Sequence, residues 1–132
     1  MKLVYIGVII YTIFVCYGIS YAFTERDYQT KWCNAHNGIM EYVLPDKTRV
    51  DCYIEYTDKF GETNGYAVEF DFARKWAESY GQATYYARQT GKRPGIVLIM
   101  ENIGDERYLR RLQETATCNF VKIWIMTPDD LK

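Results

Sequence analysis

From Tyr66 to Ala73 apolar and polar positions alternate with a period of two. Tyr66, Val68, Phe70 and Phe72 point to one side of an extended strand, and Ala67, Glu69, Asp71 and Ala73 point to the other. The same alternation runs from Arg49 to Tyr56, with Val50, Cys52, Ile54 and Tyr56 on the apolar side and Arg49, Asp51, Tyr53 and Glu55 opposite. Elsewhere the spacing is helical. Glu25 to about Ala35 reads as a helix stopped by Asn37-Gly38, and about Ala73 to Thr90 as a second, ended by Gly91 in the left-handed stop position. Ile39–Leu44 reads as a strand, followed by a turn at Pro45-Asp46-Lys47 and the strand beginning at Arg49. A loop from Thr57 to Gly65 leads into the strand Tyr66–Phe72. Pro94-Gly95 opens a strand Ile96–Met100, a helix runs from about Asp105 to Thr117, and Val121–Met126 forms the last strand. The predicted order is α-β-β-β-α-β-α-β, a single α/β domain with no repeat or low-complexity tract inside it.

The amino terminus does not belong to this pattern. Met1 and Lys2 precede an apolar stretch from Leu3 to Ile19, and Ser20-Tyr21-Ala22 offers small residues at the positions signal peptidase reads. We expect a secretory signal over residues 1–22 and an exported product, periplasmic or secreted, beginning near Phe23. The alternative is an uncleaved membrane anchor, since the stretch approaches a bilayer-spanning length. Lys2 is the one charge removed with the signal, which leaves 15 basic residues against 17 acidic ones. That balance supplies no global basic field to draw the protein to nucleic acid.

Cys33, Cys52 and Cys118 remain, and an oxidising compartment favours one disulfide with one thiol left over. Cys33–Cys52 is the first choice and would tie the first helix to the sheet; the other two pairings stay open. There is no C-x-x-C and no His/Cys cluster, which argues against structural zinc.

The chemistry concentrates on the polar faces of the two alternating strands. Antiparallel pairing through the Thr57–Gly65 loop would bring Asp51 toward Glu69 and Asp71, and Glu41 on the first strand is a fourth acid within reach. Oxygen donors of this kind suit Mg²⁺ or Mn²⁺. On the following helix Lys75, Glu78 or Ser79, Gln82, and Tyr85 or Tyr86 recur along one side. Lys75 stands near the helix start, where an ammonium can hydrogen-bond a phosphate oxygen.

Each residue also has a plainer reading. Asp71 suits a helix cap, Lys75 and Glu78 an exposed ion pair, Gln82 a solvated helix surface, and Asp51 a surface salt bridge with Arg49. His36, the only histidine, sits at the predicted end of the first helix, where a cation favours the helix dipole. Lys92 and Arg93, with Arg107, Arg110 and Arg111, are candidates for a local phosphate-binding patch or for a solvated surface.

In this order of elements, with an acid on the second strand and another on the third, the chain from Glu25 to Met100 resembles the PD-(D/E)xK nuclease superfamily. The resemblance implies a restriction-endonuclease-like α-β-β-β-α-β core of three layers with a mixed central sheet. It implies catalytic roles for Asp51, Glu69, Asp71, Lys75 and Gln82, with Asp51, Glu69, Asp71 and Glu41 around a Mg²⁺ or Mn²⁺ ion. Glu41, or Glu25 on the first helix, would be the accessory acid. The chain departs from the superfamily at Asp71, which stands where the motif carries lysine; some members place that lysine on the next helix, where this chain has Lys75. The segment from Glu69 to Ala87 also resembles small exported bacterial or phage-borne proteins with the pattern E-F-D-F-A-x-K-W-A-E-x-x-G-Q-x-x-Y-Y-A. The implied activity is metal-dependent hydrolysis of DNA or RNA. The alternative is the same fold without catalysis, acting as a binding module.

Overall fold

The structure is a computed structural model and describes residues 22–132. The expected signal segment, apart from its last residue Ala22, lies outside the described residues. Among the described residues no helix is long and apolar enough to cross a membrane.

Five strands form one mixed sheet in sequence order: β1 (Ile39–Val43), β2 (Arg49–Thr57), β3 (Thr63–Phe72), β4 (Arg93–Ile99) and β5 (Lys122–Met126). The first three pair antiparallel through short connections, whereas β3, β4 and β5 run parallel. Parallel neighbours need crossovers. These are α2 (Trp76–Thr90), entered through a 3₁₀ turn at Ala73–Lys75, and α3 (Glu106–Ala116).

Alternation along β4 shows where the layers lie. Val97 and Ile99 pack with Tyr28, Trp32 and Cys33 of α1 (Glu25–Ala35), while Ile96 and Leu98 pack with Ala83 of α2 and with Leu109 and Leu112 of α3. The sheet is therefore the middle of three layers, with α1 on one face and α2 and α3 on the other. This bears out an α/β domain with a mixed sheet.

Local chemistry fixes the start of α1 and ties the helix to the sheet. Thr24 caps it, its hydroxyl accepting the Asp27 amide at 3.3 Å while the Asp27 carboxylate accepts the Thr24 amide at 2.6 Å. Cys33 then bonds to Cys52 of β2, with 5.8 Å between the Cα atoms; among the described residues Cys118 has no disulfide partner, and it is exposed. Gly38 lies against this bridge so closely that a Cβ there would collide with both sulfurs.

Several boundaries differ from the sequence reading. The β2–β3 hairpin is longer than expected, because the Asp58 carboxylate accepts the amides of Phe60 and Glu62 at 2.8 and 3.0 Å and shortens the connection to a compact turn. Strand β4 begins at Arg93 and so includes Pro94 and Gly95, and β5 begins one residue later than expected, at Lys122. The apolar alternation along β2 also breaks. Val50 packs with Ala67 and Tyr86, whereas Cys52 and Ile54 lie under α1. The strand changes faces at Asp51.

Candidate functional site

The break at Asp51 builds the site. The β2–β3 ladder runs from Thr57↔Thr63 to Cys52↔Val68 and goes no further. Where the next pair would form, Asp51 Oδ2 accepts the Phe70 amide at 2.8 Å, so a side chain replaces a strand carbonyl. On its other side, Asp51 faces Glu41, which is missing from the β1–β2 ladder and adopts φ +54, a left-handed conformation uncommon for a residue with a side chain. The Asp51 carbonyl is satisfied by Gln29 of α1, whose amide nitrogen donates to it at 2.7 Å and to Glu41 Oε1 at 3.0 Å. Gln29 is itself buried.

In the opening between the strands lie two buried acids of β3. Glu69 is 5 % exposed and Asp71 3 %. Burial, then the charge of Asp51 and a hydrogen bond with it, push the Glu69 carboxyl upward, so that it keeps its proton at neutral pH. Burial raises Asp51 as well, against the Phe70 amide, which favours its ionised form. The two carboxyl groups thus hold one proton between them at neutral pH, carried by Glu69. The second Glu69 oxygen, Oε2, is buried and has no hydrogen-bond partner among the described residues.

Asp71 stands two residues further along β3. Its Oδ1 accepts the Phe72 amide at 3.1 Å and lies 3.6 Å from Lys75 Nζ. Burial raises its carboxyl to about 6, with Lys75 opposing the shift and Glu25 adding to it. Glu25 of α1 joins the group: burial and then the Asp51 charge raise it, while Lys75 and a hydrogen bond with Asp71 pull it back. Lys75, half-exposed, is therefore the ammonium that meets the carboxyl cluster from the solvent side.

The other expected residues fall at different distances from this centre. Glu41 accepts from Gln29 and lies 3.7 Å from Arg49 and 4.0 Å from Arg26, at the solvent-facing rim. Arg49 is therefore engaged by Glu41 rather than by Asp51. Gln82 is half-buried on α2 and makes no side-chain hydrogen bond among the described residues. Tyr86, one turn beyond it, is buried, and its hydroxyl is raised to about 12 by burial and by the charges of Glu69 and Asp51. Tyr85 turns away to Asp46. Sequence reasoning does not find Gln29. Its signal is its place one turn after Glu25 and one turn before Trp32 and Cys33, on the buried stripe of α1.

Among the described residues no three His, Cys, Asp or Glu side chains converge as a ready cage for an ion. The expected set of Asp51, Glu69, Asp71 and Glu41 is instead divided into a coupled pair, an ion pair with Lys75 and a rim contact. Mg²⁺ does not require a cage, since it commonly takes one or two carboxylates and completes its shell with water and substrate oxygens. Asp51 and Glu69 are two such carboxyl groups, and Glu69 Oε2 has no hydrogen-bond partner among the described residues.

No protein-family profile matches the chain, and no curated protein or solved structure matches it.

Proposed function

We propose that the chain is an exported, metal-dependent nuclease with a restriction-endonuclease-like core, hydrolysing phosphodiester bonds of DNA or RNA. The observation that carries this reading is the Asp51–Glu69 pair, a buried acid with an oxygen lacking any partner, set where two strands part. The α-β-β-β-α-β order of elements around it supports the same reading, and the disulfide suits an oxidising, exported setting.

Asp51 and Glu69 would hold Mg²⁺ or Mn²⁺, which when bound supplies charge stabilisation at the phosphoryl oxygens and a water of lowered pKa. The protein's own groups do the rest. Glu69 would ligate as a carboxylate, its proton passing to solvent. Lys75 would donate a hydrogen bond to a phosphate oxygen, its ammonium 3.6 Å from Asp71 at the mouth of the cluster. Glu25 is the better accessory acid, because it couples to both Asp51 and Asp71, whereas Glu41 is bound at the rim. Gln82, free of internal hydrogen bonds, would orient a water or a backbone phosphate.

The test is cleavage of supercoiled plasmid and of single-stranded RNA by the chain from Phe23 onward, with Mg²⁺ or Mn²⁺, against EDTA and Glu69→Ala. Cutting that needs metal and Glu69 supports the reading, and none under any metal overturns it. A second reading, the same fold without catalysis, rests on Asp71 standing where the superfamily motif carries lysine; absence of cutting would favour it.

A further inference from the structure

Helix α1 covers only part of its face of the sheet. Where β4 and β5 begin, the register sets Tyr66 beside the exposed Arg93 and Gly95 beside the exposed Lys122, and Trp124 lies beside the buried Val97, edge to face on Trp32 of α1. Tyr56 continues the side begun by Ile54. The Arg93 guanidinium lies 4.3 Å from the centroid of the Tyr66 ring and donates to the Tyr56 hydroxyl. Lys122 Nζ stands 5.9 Å from the Trp124 ring, and Tyr66 meets Trp124 edge to face at 5.2 Å. Gly95 makes room for this arrangement, since a Cβ there would lie 2.7 Å from the indole.

Among the described residues neither Arg93 nor Lys122 has a carboxylate partner; the acid closest in sequence to Tyr56, Glu55, points to the other face and is bound by Lys92 at 2.8 Å. Cations held on aromatic rings without counter-ions are complementary to a ligand that carries both flat rings and regularly spaced anions. Only an unpaired strand offers base faces for stacking, because a duplex buries them.

We propose that Tyr56, Tyr66, Arg93, Lys122 and Trp124 form a docking surface for single-stranded nucleic acid. The inference rests on the nuclease reading for its substrate class, and it places strand capture on the opposite face of the sheet from α2. The exposed Tyr56 ring stacks on a base, and Arg93 and Lys122, held over Tyr66 and Trp124, neutralise phosphates.

The test is fluorescence anisotropy of a labelled oligo-dT of about fifteen nucleotides, a length suited to such platforms, with EDTA present so that binding is read without cleavage. The full chain from Phe23 should bind. Arg93→Glu with Lys122→Glu should weaken binding by about 10-fold or more and lower the slope of log K against log salt by about 1.4, which is about 0.7 for each phosphate no longer neutralised. Lys122→Ala, at an exposed position on an edge strand, should give half that slope change and guards against a misfolded double variant. Absent binding, binding unchanged in both variants, or equal affinity for a duplex of the same length overturns the proposal. Metal-dependent cutting by a chain that fails these tests would leave the nuclease reading standing and remove this one.

Discussion

Asp51 and Glu69 face one another where β2 and β3 part, and their carboxyl groups share a proton that neither would hold so firmly in water. The sharing follows from the fold. Asp51 commits one oxygen to the Phe70 amide, which favours its charge, and Glu69 has no comparable donor. Burial then makes two adjacent negative charges too costly, and the less supported group keeps the proton.

This pair sets a pH dependence. An acid whose folded pKa lies above its unfolded value binds its proton more tightly in the folded state, so its contribution is complete below the unfolded pKa and is lost as pH rises through the folded one. Asp51 and Asp71 are raised from 3.8 to about 6, and Glu69 from 4.5 to about 10. Stability of the metal-free protein should therefore fall between about pH 4 and pH 10, most steeply in the lower third of that range, where the unfolded chain releases protons that all three acids retain when folded. Glu69→Gln should flatten the curve above about pH 6 and stabilise the protein at pH 8 by about 1 kcal/mol or more. Thermal unfolding of both proteins across this range checks the sign, and a rising curve for the parent protein would contradict it.

Gln29 closes two acceptors with one amide. Gln29→Leu leaves the Asp51 carbonyl and the Glu41 carboxylate without their buried donor, and should cost about 1–3 kcal/mol in urea unfolding. A loss under about 0.5 kcal/mol would show that water replaces the amide without penalty.

The disulfide should be recovered chemically. Without reduction one thiol, Cys118, should react with iodoacetamide, and peptide mapping should link Cys33 to Cys52. Cys33→Ser with Cys52→Ser should lower stability by about 2–4 kcal/mol. Gly38→Ala should also destabilise, through the collision with both sulfurs.

Lys75 touches Asp71 yet remains half-exposed, so its removal should spare the fold and, on the proposed nuclease reading, slow cleavage. Lys75→Ala should lower kcat by about 100-fold with little change in KM, as for the loss of one stabilising donor. A rise in KM at constant kcat would assign Lys75 to binding alone.

Much of this is legible in the chain because two simple periods govern it. The alternation at Tyr66–Ala73 puts Glu69 and Asp71 on the face opposite Phe70, and the structure keeps them there. The helical spacing of α1 and the stop at Gly91 follow from the same kind of local signal, and of the three cysteine pairings left open the first choice, Cys33 with Cys52, is the one formed. What does not show depends on pairs rather than periods. Asp51 breaks the alternation of β2 because its side chain takes the Phe70 amide, and Glu41 turns left-handed opposite it; neither event leaves a mark in a single strand's pattern. Asp58, similarly, lengthens the hairpin by capping amides that composition assigns to a loop. Gln29 looks like one more polar helix residue until the Asp51 carbonyl is placed beside it.

Whether the Asp51–Glu69 pair takes a metal ion is decided by calorimetric titration of Mn²⁺ into metal-free protein near neutral pH, repeated in two buffers of different ionisation heat. One site is expected, with about one proton released per ion as Glu69 ionises, and with loss of both the site and the proton in Glu69→Ala. Absence of binding at about millimolar Mn²⁺, or binding that Glu69→Ala leaves intact with no proton released, would contradict it.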